Sequence, residues 1–252
     1  MSNTVQPRDL SWITYDQLLA IAEKRFSKFI RNISVKKNSV NDPTLVLALA
    51  TFLDQDIDSV REMLAMQGQI KTLQNSIGLF HQDVLGSATG WRELGTNGGV
   101  LDIESEAPVA LAGDRIVIAE VKMRYNTIKG SDQPKVFNKL KEAVAVKGGY
   151  RKYVSYLVQI IPEKPVAYDK LWKVTGNETH ESVRVIDGRS AYHLVSGDPN
   201  AIDDLFELLP TVFDEVARKI DPDRAGLTTA LTEGIVEQAL AKALPKESAL
   251  LK

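Results

Sequence analysis

Residues 102–122 read DIESEAPVALAGDRIVIAEVK, and they hold the two strands and the three polar side chains that indicate a function. The β-branched run within 115–122 is typical of a strand buried on both faces in the middle of a sheet. This strand ends in Glu120 and Lys122, whose side chains emerge on the same face because they are two residues apart. If the short apolar strand around Asp102 pairs with it as a hairpin, Asp102 lies beside them.

Two carboxylates and an ammonium at the end of an apolar sheet are costly unless the carboxylates hold a cation or the lysine. One or two Mg²⁺ ions held by carboxylates provide most of what phosphodiester hydrolysis requires. Mg²⁺ keeps several waters and takes only one or two protein carboxylates. Asp102 and Glu120, with the backbone carbonyl of Val121, therefore form a sufficient ligand set. Lys122 would orient or deprotonate the attacking water and offset charge on the phosphate.

Two further residues are candidate accessories to this site. Glu104 follows Asp102 by two residues and is a spare carboxylate on the same face. Gln82, near the end of an apolar helix, either is exposed or caps that helix, or lies over the metal site and supplies an oxygen. The alternative for Glu120 is an ordinary salt bridge to a lysine, because an E-x-K tripeptide is common.

The composition is that of a globular protein without disulfides. The 252 residues are 44% hydrophobic, include no cysteine and carry a formal net charge of −2. Any DNA contact must therefore come from a local basic patch. The sequence shows neither a secretory signal nor an apolar run long enough to span a membrane, so we expect a cytoplasmic protein. The three scattered histidines and the lack of a glycine-rich phosphate loop give no support to zinc hydrolysis or nucleotide chemistry.

The alternation of elements predicts an α/β fold with a mixed sheet and helices on its faces. We expect a helical region at 1–90 packed on a core at 91–252. Apolar spacing predicts helices over 16–30, 45–52, 57–85 with a break near Gly68, 135–146, 198–220 and 227–244. The expected strands are 100–103, 115–122, 152–161, 168–174 and 182–186, with turns at Gly90 and at Gly188.

The densest cationic block of the chain directly follows Lys122. This block is either an ordinary solvent-exposed surface or a surface that contacts the phosphate groups of a nucleic-acid backbone. The candidate DNA contacts are Arg124, Asn126, Thr127, Lys129, Lys135 and Lys139. Arg184 and Arg189 are further candidates for contacts to guanine, since arginine commonly donates to guanine O6 and N7.

At these residues the chain resembles the PD-(D/E)XK nuclease superfamily, with Asp102 as the aspartate and Glu120-Val121-Lys122 as the (D/E)XK. Leu101 stands where that pattern has its proline, which leaves Glu104 open as an alternative to Asp102. Three segments are similar to the type II restriction endonuclease family that cuts GGNCC-type sites. They are FHQDVLGSATGW (80–91), AEVKMRYNTIKGSD (119–132) and IDGRSAYHLVSGDPNAIDDLFELLP (186–210).

The resemblance implies a restriction-endonuclease-like core and a Mg²⁺-dependent homodimer that cuts both strands of a short palindrome in double-stranded DNA. It also implies a DNA methyltransferase in the same restriction-modification system, which protects host DNA without binding the nuclease. Two other hypotheses remain open: a structure-specific repair or recombination nuclease of the same superfamily, and a non-catalytic DNA-binding protein whose acidic pair is a salt bridge.

Overall fold

A mixed six-stranded sheet lies at the centre of the computed structural model, which describes residues 6–32, 42–95, 101–174, 179–222 and 233–251. The strand order is β1-β2-β3-β4-β6-β5. The strands are β1 (Trp91–Glu93), β2 (Ile103–Ser105), β3 (Ile116–Arg124), β4 (Tyr153–Ile161), β5 (Asp169–Leu171) and β6 (Val183–Asp187). The three central strands β3, β4 and β6 run parallel, whereas β1, β2 and β5 pair with their neighbours in antiparallel fashion.

Helices cover both faces of this sheet. They are α1 (Tyr15–Asn32), α2 (Pro43–Leu53), α3 (Ile57–Gly86), α4 (Gln133–Lys147), α5 (Gly188–Ser196), α6 (Ala201–Ile220) and α7 (Glu233–Ala243). The α/β prediction is therefore confirmed. Within the described ranges, no helix has the combination of length and apolarity that a membrane crossing requires.

The alternation of side chains on β3 divides the interior into two cores. Val117 and Ala119 point to a larger core that also contains Phe26 of α1 and Phe80 of α3. Ile118 points to a smaller core on the opposite face, which α4 covers. A strand with apolar side chains on both faces is buried in the sheet centre, as the β-branched composition of 115–122 predicted.

An ion pair anchors α3 to α1 inside the larger core. The side chain of Asp83 is only 2% exposed. Its carboxylate accepts hydrogen bonds from two nitrogens of the Arg25 guanidinium, Nε and one terminal nitrogen, and lies 3.0 Å from Lys24 Nζ. A bidentate arginine–carboxylate pair has a defined geometry as well as a favourable energy. It therefore fixes the orientation of α1 relative to the last turns of α3, which pack on the sheet.

Several predicted boundaries differ from the structure. Helix α3 is continuous through Gly68, because an isolated glycine with nothing within 4 Å of its Cβ position is tolerated in a helix. The turn expected at Gly90 is followed at once by β1, which was not predicted. The strand predicted over 168–174 is limited to β5. Position 100 and residues 227–232 of the predicted final helix lie outside the described residues.

The turn predicted at Gly188 is wrong, because Gly188 is the first residue of α5. Asp187 caps this helix, and its carboxylate accepts hydrogen bonds from the backbone N–H and the hydroxyl of Ser190. A Cβ at position 188 would lie 2.2 Å from the carbonyl oxygen of Ile160 on β4. Glycine is thus needed here for the close approach of a helix to a strand and not for a turn.

Replacing Gly188 by Ala is expected to lower the free energy of unfolding by at least about 3 kcal/mol, because its Cβ would collide with backbone that cannot move aside. The matched control is Gly68→Ala, where the same methyl group meets no atom and is expected to stabilise α3 by up to about 1 kcal/mol. Urea denaturation of both variants checks the pair. Equal effects at the two positions would disprove the close packing of α5 on β4.

Candidate active site

The β2–β3 hairpin brings Asp102 to Glu120. Ile103 pairs with Ala119, and the backbone N–H of Asp102 donates to the carbonyl of Ala119 at 2.8 Å. Continuation of this antiparallel register places Asp102 opposite Glu120 on the face that α4 covers. The carboxylate Oδ2 of Asp102 then accepts a hydrogen bond from the N–H of Val121 at 2.6 Å, which holds the aspartate against β3.

Lys122 completes this set of charges. Its Nζ lies 2.5 Å from Oε1 of Glu120, and the two side chains are 28% and 13% exposed, respectively. The period of two along β3 is the reason that both side chains lie on one face. The structure thus brings together the three residues that the sequence singled out, two acids and one amine.

Both acids are held in surroundings that disfavour their charged forms. Burial raises the pKa of Asp102, although the N–H of Val121 and the charge of Lys122 act in the opposite direction. Burial also raises the pKa of Glu120, and the nearby negative charge of Asp102 raises it further, against the opposing effect of Lys122 and Lys139. The positive charge of Lys122 therefore does not fully offset the negative charges of Asp102 and Glu120. Acids with such raised pKa values are typical of functional sites.

The donor set fits a hard divalent cation. Asp102 and Glu120 offer carboxylate oxygens, and the backbone carbonyl of Val121 lies in the chain between Glu120 and Lys122. Among the described residues, no three His, Asp or Glu side chains form a cluster that could hold a metal. A site with two carboxylates, completed by a carbonyl and waters, is the kind that Mg²⁺ uses, and a second positive charge would offset the repulsion between the two acids.

Gln82 approaches β3 from the face opposite α4. It lies one helical turn from both Gly78, which packs on Met123, and Gly86, which packs on Ile103. Since Ile103 pairs with Ala119, this row of α3 residues follows β3 on the face opposite the acid side chains. Gln82 is only 5% exposed, and its Nε2 has no hydrogen-bond partner in the described structure. The exposed or capping role considered from the sequence does not fit a buried amide.

Glu104 is engaged elsewhere. One of its oxygens accepts a hydrogen bond from Arg92 at 2.6 Å and the other from Lys147 at 2.8 Å. Its side chain is 3% exposed, and these partners hold its pKa below the usual range despite its burial. The two cations neutralise this carboxylate, so it has no free oxygen for a metal, in contrast to the acid pair at Asp102.

The predicted basic contacts border the acids on one side. Arg124, Asn126, Thr127 and Lys129 are exposed in the tight connection after β3, where the Thr127 hydroxyl donates to the carbonyl of Arg124 at 2.8 Å. On α4, Lys135 and Lys139 are exposed as well, and the charge of Lys139 acts on Glu120. Of these residues, Lys139 is thus the one whose charge is seen to act on the acid pair, and the others are exposed near it in the chain.

Sequence reasoning missed Gln159, which lies beside Lys122 in the parallel register of β3 and β4. Its amide oxygen accepts a hydrogen bond from the hydroxyl of Tyr168 at 2.6 Å, and its Nε2 donates to the carbonyl of Tyr125 at 3.3 Å. Gln159 thus ties the connection after β3 to the sheet next to the acids. Its signal in the sequence was a single polar residue near the end of the apolar strand 152–161.

Arg184 and Arg189 are not available to contact bases in this structure. The guanidinium of Arg184 donates to the carboxylate and the backbone carbonyl of Asp169. Arg189 is 7% exposed, and it donates to the carboxylate of Asp203 and, at 2.6 Å, to the carbonyl of Pro245. Both guanidinium groups thus already have acidic partners within the chain, and base contacts by these two residues stay a prediction.

A buried histidine on α3 gives a testable pH dependence of stability. His81 is 3% exposed, its Nδ1 lies 2.7 Å from the hydroxyl of Tyr192, and burial lowers its pKa to about 4. The unfolded chain, with a histidine pKa near 6.5, binds a proton first as the pH falls. The contribution of His81 to stability is thus intact above the unfolded pKa and is lost as the pH falls toward 4.

His81→Asn is therefore expected to flatten the dependence of unfolding free energy on pH between about 6.5 and 4. Asparagine places a polar atom near the position of Nδ1 and does not titrate. The variant should be less stable at neutral pH, and its deficit should shrink by up to about 3 kcal/mol over this window. Denaturant titrations at several pH values measure the difference, and parallel curves would show that His81 is not held neutral.

The central mixed sheet with helices on both faces and an acid–acid–amine set at one edge constitutes a restriction-endonuclease-like core. Residues 10–218 match the family model described as "Eco47II restriction endonuclease". The chain belongs to that family. The match covers most of the chain, including the helical N-terminal part that had contributed little to the resemblance in sequence.

Two relatives align with somewhat more than half of the chain. The chain is 40% identical over 154 residues to "Type II restriction enzyme Eco47II" of Escherichia coli, an alignment that covers 58% of this chain and 61% of that enzyme. It is 24% identical over 162 residues to "Type II restriction enzyme Sau96I" of Staphylococcus aureus, which covers 60% of this chain and 57% of that enzyme. The aligned part thus spans about three fifths of the length of each relative.

Proposed function

We propose that this chain is a type II restriction endonuclease that makes Mg²⁺-dependent double-strand cuts in DNA at a short palindromic site of the GGNCC type. The observation that carries the proposal is the meeting of Asp102, Glu120 and Lys122 on one face of the sheet, with two acids whose charges are incompletely compensated. Membership of the Eco47II family supports the same reaction class. The division into a helical region (1–90) packed on a nuclease core (91–252) is part of this proposal.

In the proposed mechanism, the carboxylates of Asp102 and Glu120 and the carbonyl of Val121 hold Mg²⁺. When bound, this ion lowers the pKa of a coordinated water and stabilises negative charge on the phosphate. Lys122 orients the attacking water and offsets the developing charge on the phosphate oxygens. The N–H of Val121 keeps the carboxylate of Asp102 in place, so the ligands need little rearrangement when the ion arrives.

Gln82 is the proposed accessory to this site. The Nε2 of Gln82 is buried with no hydrogen-bond partner among the described residues, and α3 holds it on the face of β3 opposite the acid side chains, so its proposed contact with a water or a phosphate oxygen is at the open end of the site, where β2 has ended. Glu104 has no such role in the proposal, because Arg92 and Lys147 occupy both of its oxygens.

The exposed residues after β3 and on α4 supply the proposed DNA contacts. Lys129, Lys135 and Lys139 are suited to phosphates, which attract ammonium groups regardless of sequence. Arg124 is the candidate for guanine, because a guanidinium donates two parallel hydrogen bonds to O6 and N7. Asn126 and Thr127 position the connection next to the acids, where Thr127 already bonds to the backbone of Arg124.

A palindrome contains two identical half-sites, which a two-fold dimer can read with one active site on each strand. We therefore propose that the protein acts as a homodimer on double-stranded DNA. The proposal also includes a cytoplasmic location and a DNA methyltransferase in the same restriction-modification system, which protects host DNA and has no need to bind the nuclease.

Plasmid digestion with Mg²⁺ tests this function. Wild-type protein should give discrete fragments, and sequencing of their ends should give one palindrome. Asp102→Asn should give none. The matched control is Glu106→Gln, which removes a carboxylate that is exposed and lies only four residues further along the chain.

The result also separates the alternatives. Cleavage of branched or nicked DNA in preference to any palindrome would replace the restriction function by a repair function. Tight DNA binding that is unchanged in Asp102→Asn, with no cleavage and no Mg²⁺ or Mn²⁺ binding by calorimetry, would leave a DNA-binding protein.

A further inference from the structure

An apolar surface that stays exposed in the described part of the chain lies on the hairpin formed by α2 and the first half of α3. Helix α2 has the sequence PTLVLALATFL, which includes no charged residue, yet none of its residues is buried. Its side chains of Leu47 and Phe52 are 68% and 83% exposed. A helix that is hydrophobic around its whole circumference is normally buried, and 11 residues are too few to cross a membrane.

The same surface continues on α3. Met66, Ile70, Leu73 and Ile77 form one stripe with helical spacing, of which Leu73 and Ile77 pack against the larger core. Toward the start of the helix the stripe passes beyond that core, and there Met66 is 63% and Ile70 49% exposed. The eight large exposed apolar residues of the hairpin are Leu45, Leu47, Phe52, Leu53, Ile57, Met63, Met66 and Ile70.

We infer that a second copy of this chain covers this surface, so that the α2–α3 hairpins of two protomers pack together about a two-fold axis as a four-helix bundle. This inference rests on the proposed function, and it assigns the dimer interface that two-strand cleavage requires. At about 150 Å² or more for a fully exposed large side chain, the eight residues approach the roughly 800 Å² per partner of a standard interface.

The chemistry of the surface favours a second copy over other occupants. Helix α2 has no charged group to attract nucleic acid, and the lysines beside it, Lys28 and Lys71, lie at the rim of the groove lined by Leu45, whereas an isologous contact joins the apolar surface to its own copy. Interfaces of obligate homodimers are the most hydrophobic class, and they resemble a domain core cut in half. A groove of about 780 Å³ beside Leu45, which Phe29 and Leu64 also line, leaves room for side chains from the partner hairpin.

The geometry of α3 connects this surface to the candidate active site. The helix has 30 residues and is thus about 45 Å long. Its first half carries the exposed part of the apolar stripe, and its second half packs on the sheet, with Gly78 against Met123 and Gly86 against Ile103. A two-fold axis at the hairpin would therefore fix the distance between two acid pairs through one continuous helix, which is the requirement for cuts at a defined spacing.

The experiment measures self-association of the full chain by sedimentation. Wild-type protein should be a dimer at micromolar concentration. Leu47→Asp combined with Phe52→Asp should raise the dimer dissociation constant at least about 100-fold, because both side chains would be buried centrally in the interface. The control carries the same two charges at exposed apolar positions away from the hairpin, Val146→Asp with Val166→Asp, and should remain dimeric.

The absence of cysteine from the chain allows a second measurement on folded protein without new charges. Leu47→Cys should give a covalent dimer with a short bismaleimide, and Val166→Cys should not. A wild-type monomer at every concentration, or a dimer that persists in the Leu47/Phe52 double variant, would overturn the inference.

Failure of the inference and failure of the proposed function give different results. If the protein is a nuclease and the hairpin is its interface, the double variant should nick supercoiled plasmid to open circles and should no longer linearise it in one binding event. If the double variant is monomeric but the wild-type protein is a dimer that never cleaves DNA, the result supports the interface alone. If the wild-type protein cleaves DNA and the double variant self-associates as strongly as wild type, the result supports the nuclease function alone.

Discussion

Glu120→Gln is expected to lower the rate of Mg²⁺-dependent DNA cleavage by about 10³-fold or more. The substitution keeps the shape of the side chain and its hydrogen bond from Lys122, but it removes one of the two negative charges that are proposed to hold the ion. Loss of a single preorganised electrostatic contact costs about 10²–10³-fold in rate, and loss of a ligand charge should cost at least as much. Single-turnover cleavage of supercoiled plasmid measures the effect.

The stability of this variant separates a functional role from a structural one. Burial and the charge of Asp102 raise the pKa of Glu120, so its charged form is disfavoured in the folded protein. A carboxyl group with a raised pKa lowers stability as the pH rises above its unfolded value. In EDTA at pH 7, Glu120→Gln should therefore melt at or above the wild-type temperature, whereas at a pH near 4 this gain should disappear.

Glu106→Gln is the matched control for the charge change, because Glu106 is an exposed acid outside the proposed site. It should leave both cleavage and melting temperature near their wild-type values. Cleavage by Glu120→Gln within ten-fold of wild type, or a large loss of stability in EDTA, would indicate that Glu120 is only the partner of a structural salt bridge.

Lys122→Met is expected to reduce cleavage by about 10²–10³-fold while metal binding is preserved. The proposed role of Lys122 is to orient water and to offset phosphate charge, effects that together are worth about this much. Its Nζ lies 2.5 Å from Oε1 of Glu120, where it would compete with a cation for the same oxygen. Removal of the amine should therefore leave the dissociation constant for Mn²⁺ unchanged or lower it.

Calorimetry with Mn²⁺, alongside single-turnover cleavage, measures the two effects separately. Lys122→Arg serves as the conservative variant, because it retains the positive charge but changes the geometry of its donors. A parallel loss of metal affinity and cleavage in Lys122→Met would mean that the lysine holds the site together instead of acting on the substrate. Unchanged cleavage would remove it from the mechanism.

The central sheet and the acid–acid–amine set could be predicted because both depend on local periodicity. The β-branched run of 115–122 identifies a buried strand, and a spacing of two puts Glu120 and Lys122 on one face wherever that strand lies. The position of Asp102 followed from a hairpin, the simplest connection between two neighbouring strands. These features need no knowledge of distant contacts.

The features that were missed or wrong all depend on distant contacts. Position 188 must be glycine because Ile160, 28 residues earlier, leaves no room for a Cβ. Arg189 is buried because Asp203 and Pro245 converge on it, and Glu104 is neutralised by Arg92 and Lys147. Neither the close approach of two backbones nor the choice among many possible ion-pair partners leaves a periodic signal in the sequence.

The most direct test of the account is a crystal structure of the protein soaked with Mn²⁺, with the anomalous signal recorded at the manganese edge. If Asp102 and Glu120 hold the metal, the peak lies within bonding distance, about 2.0–2.5 Å, of carboxylate oxygens from both residues, and it is lost in Glu120→Gln. Either of two results would contradict this assignment of the metal ligands. One is a peak at another group of residues in protein that cleaves DNA, and the other is protein that cleaves DNA but shows no peak at Asp102 and Glu120.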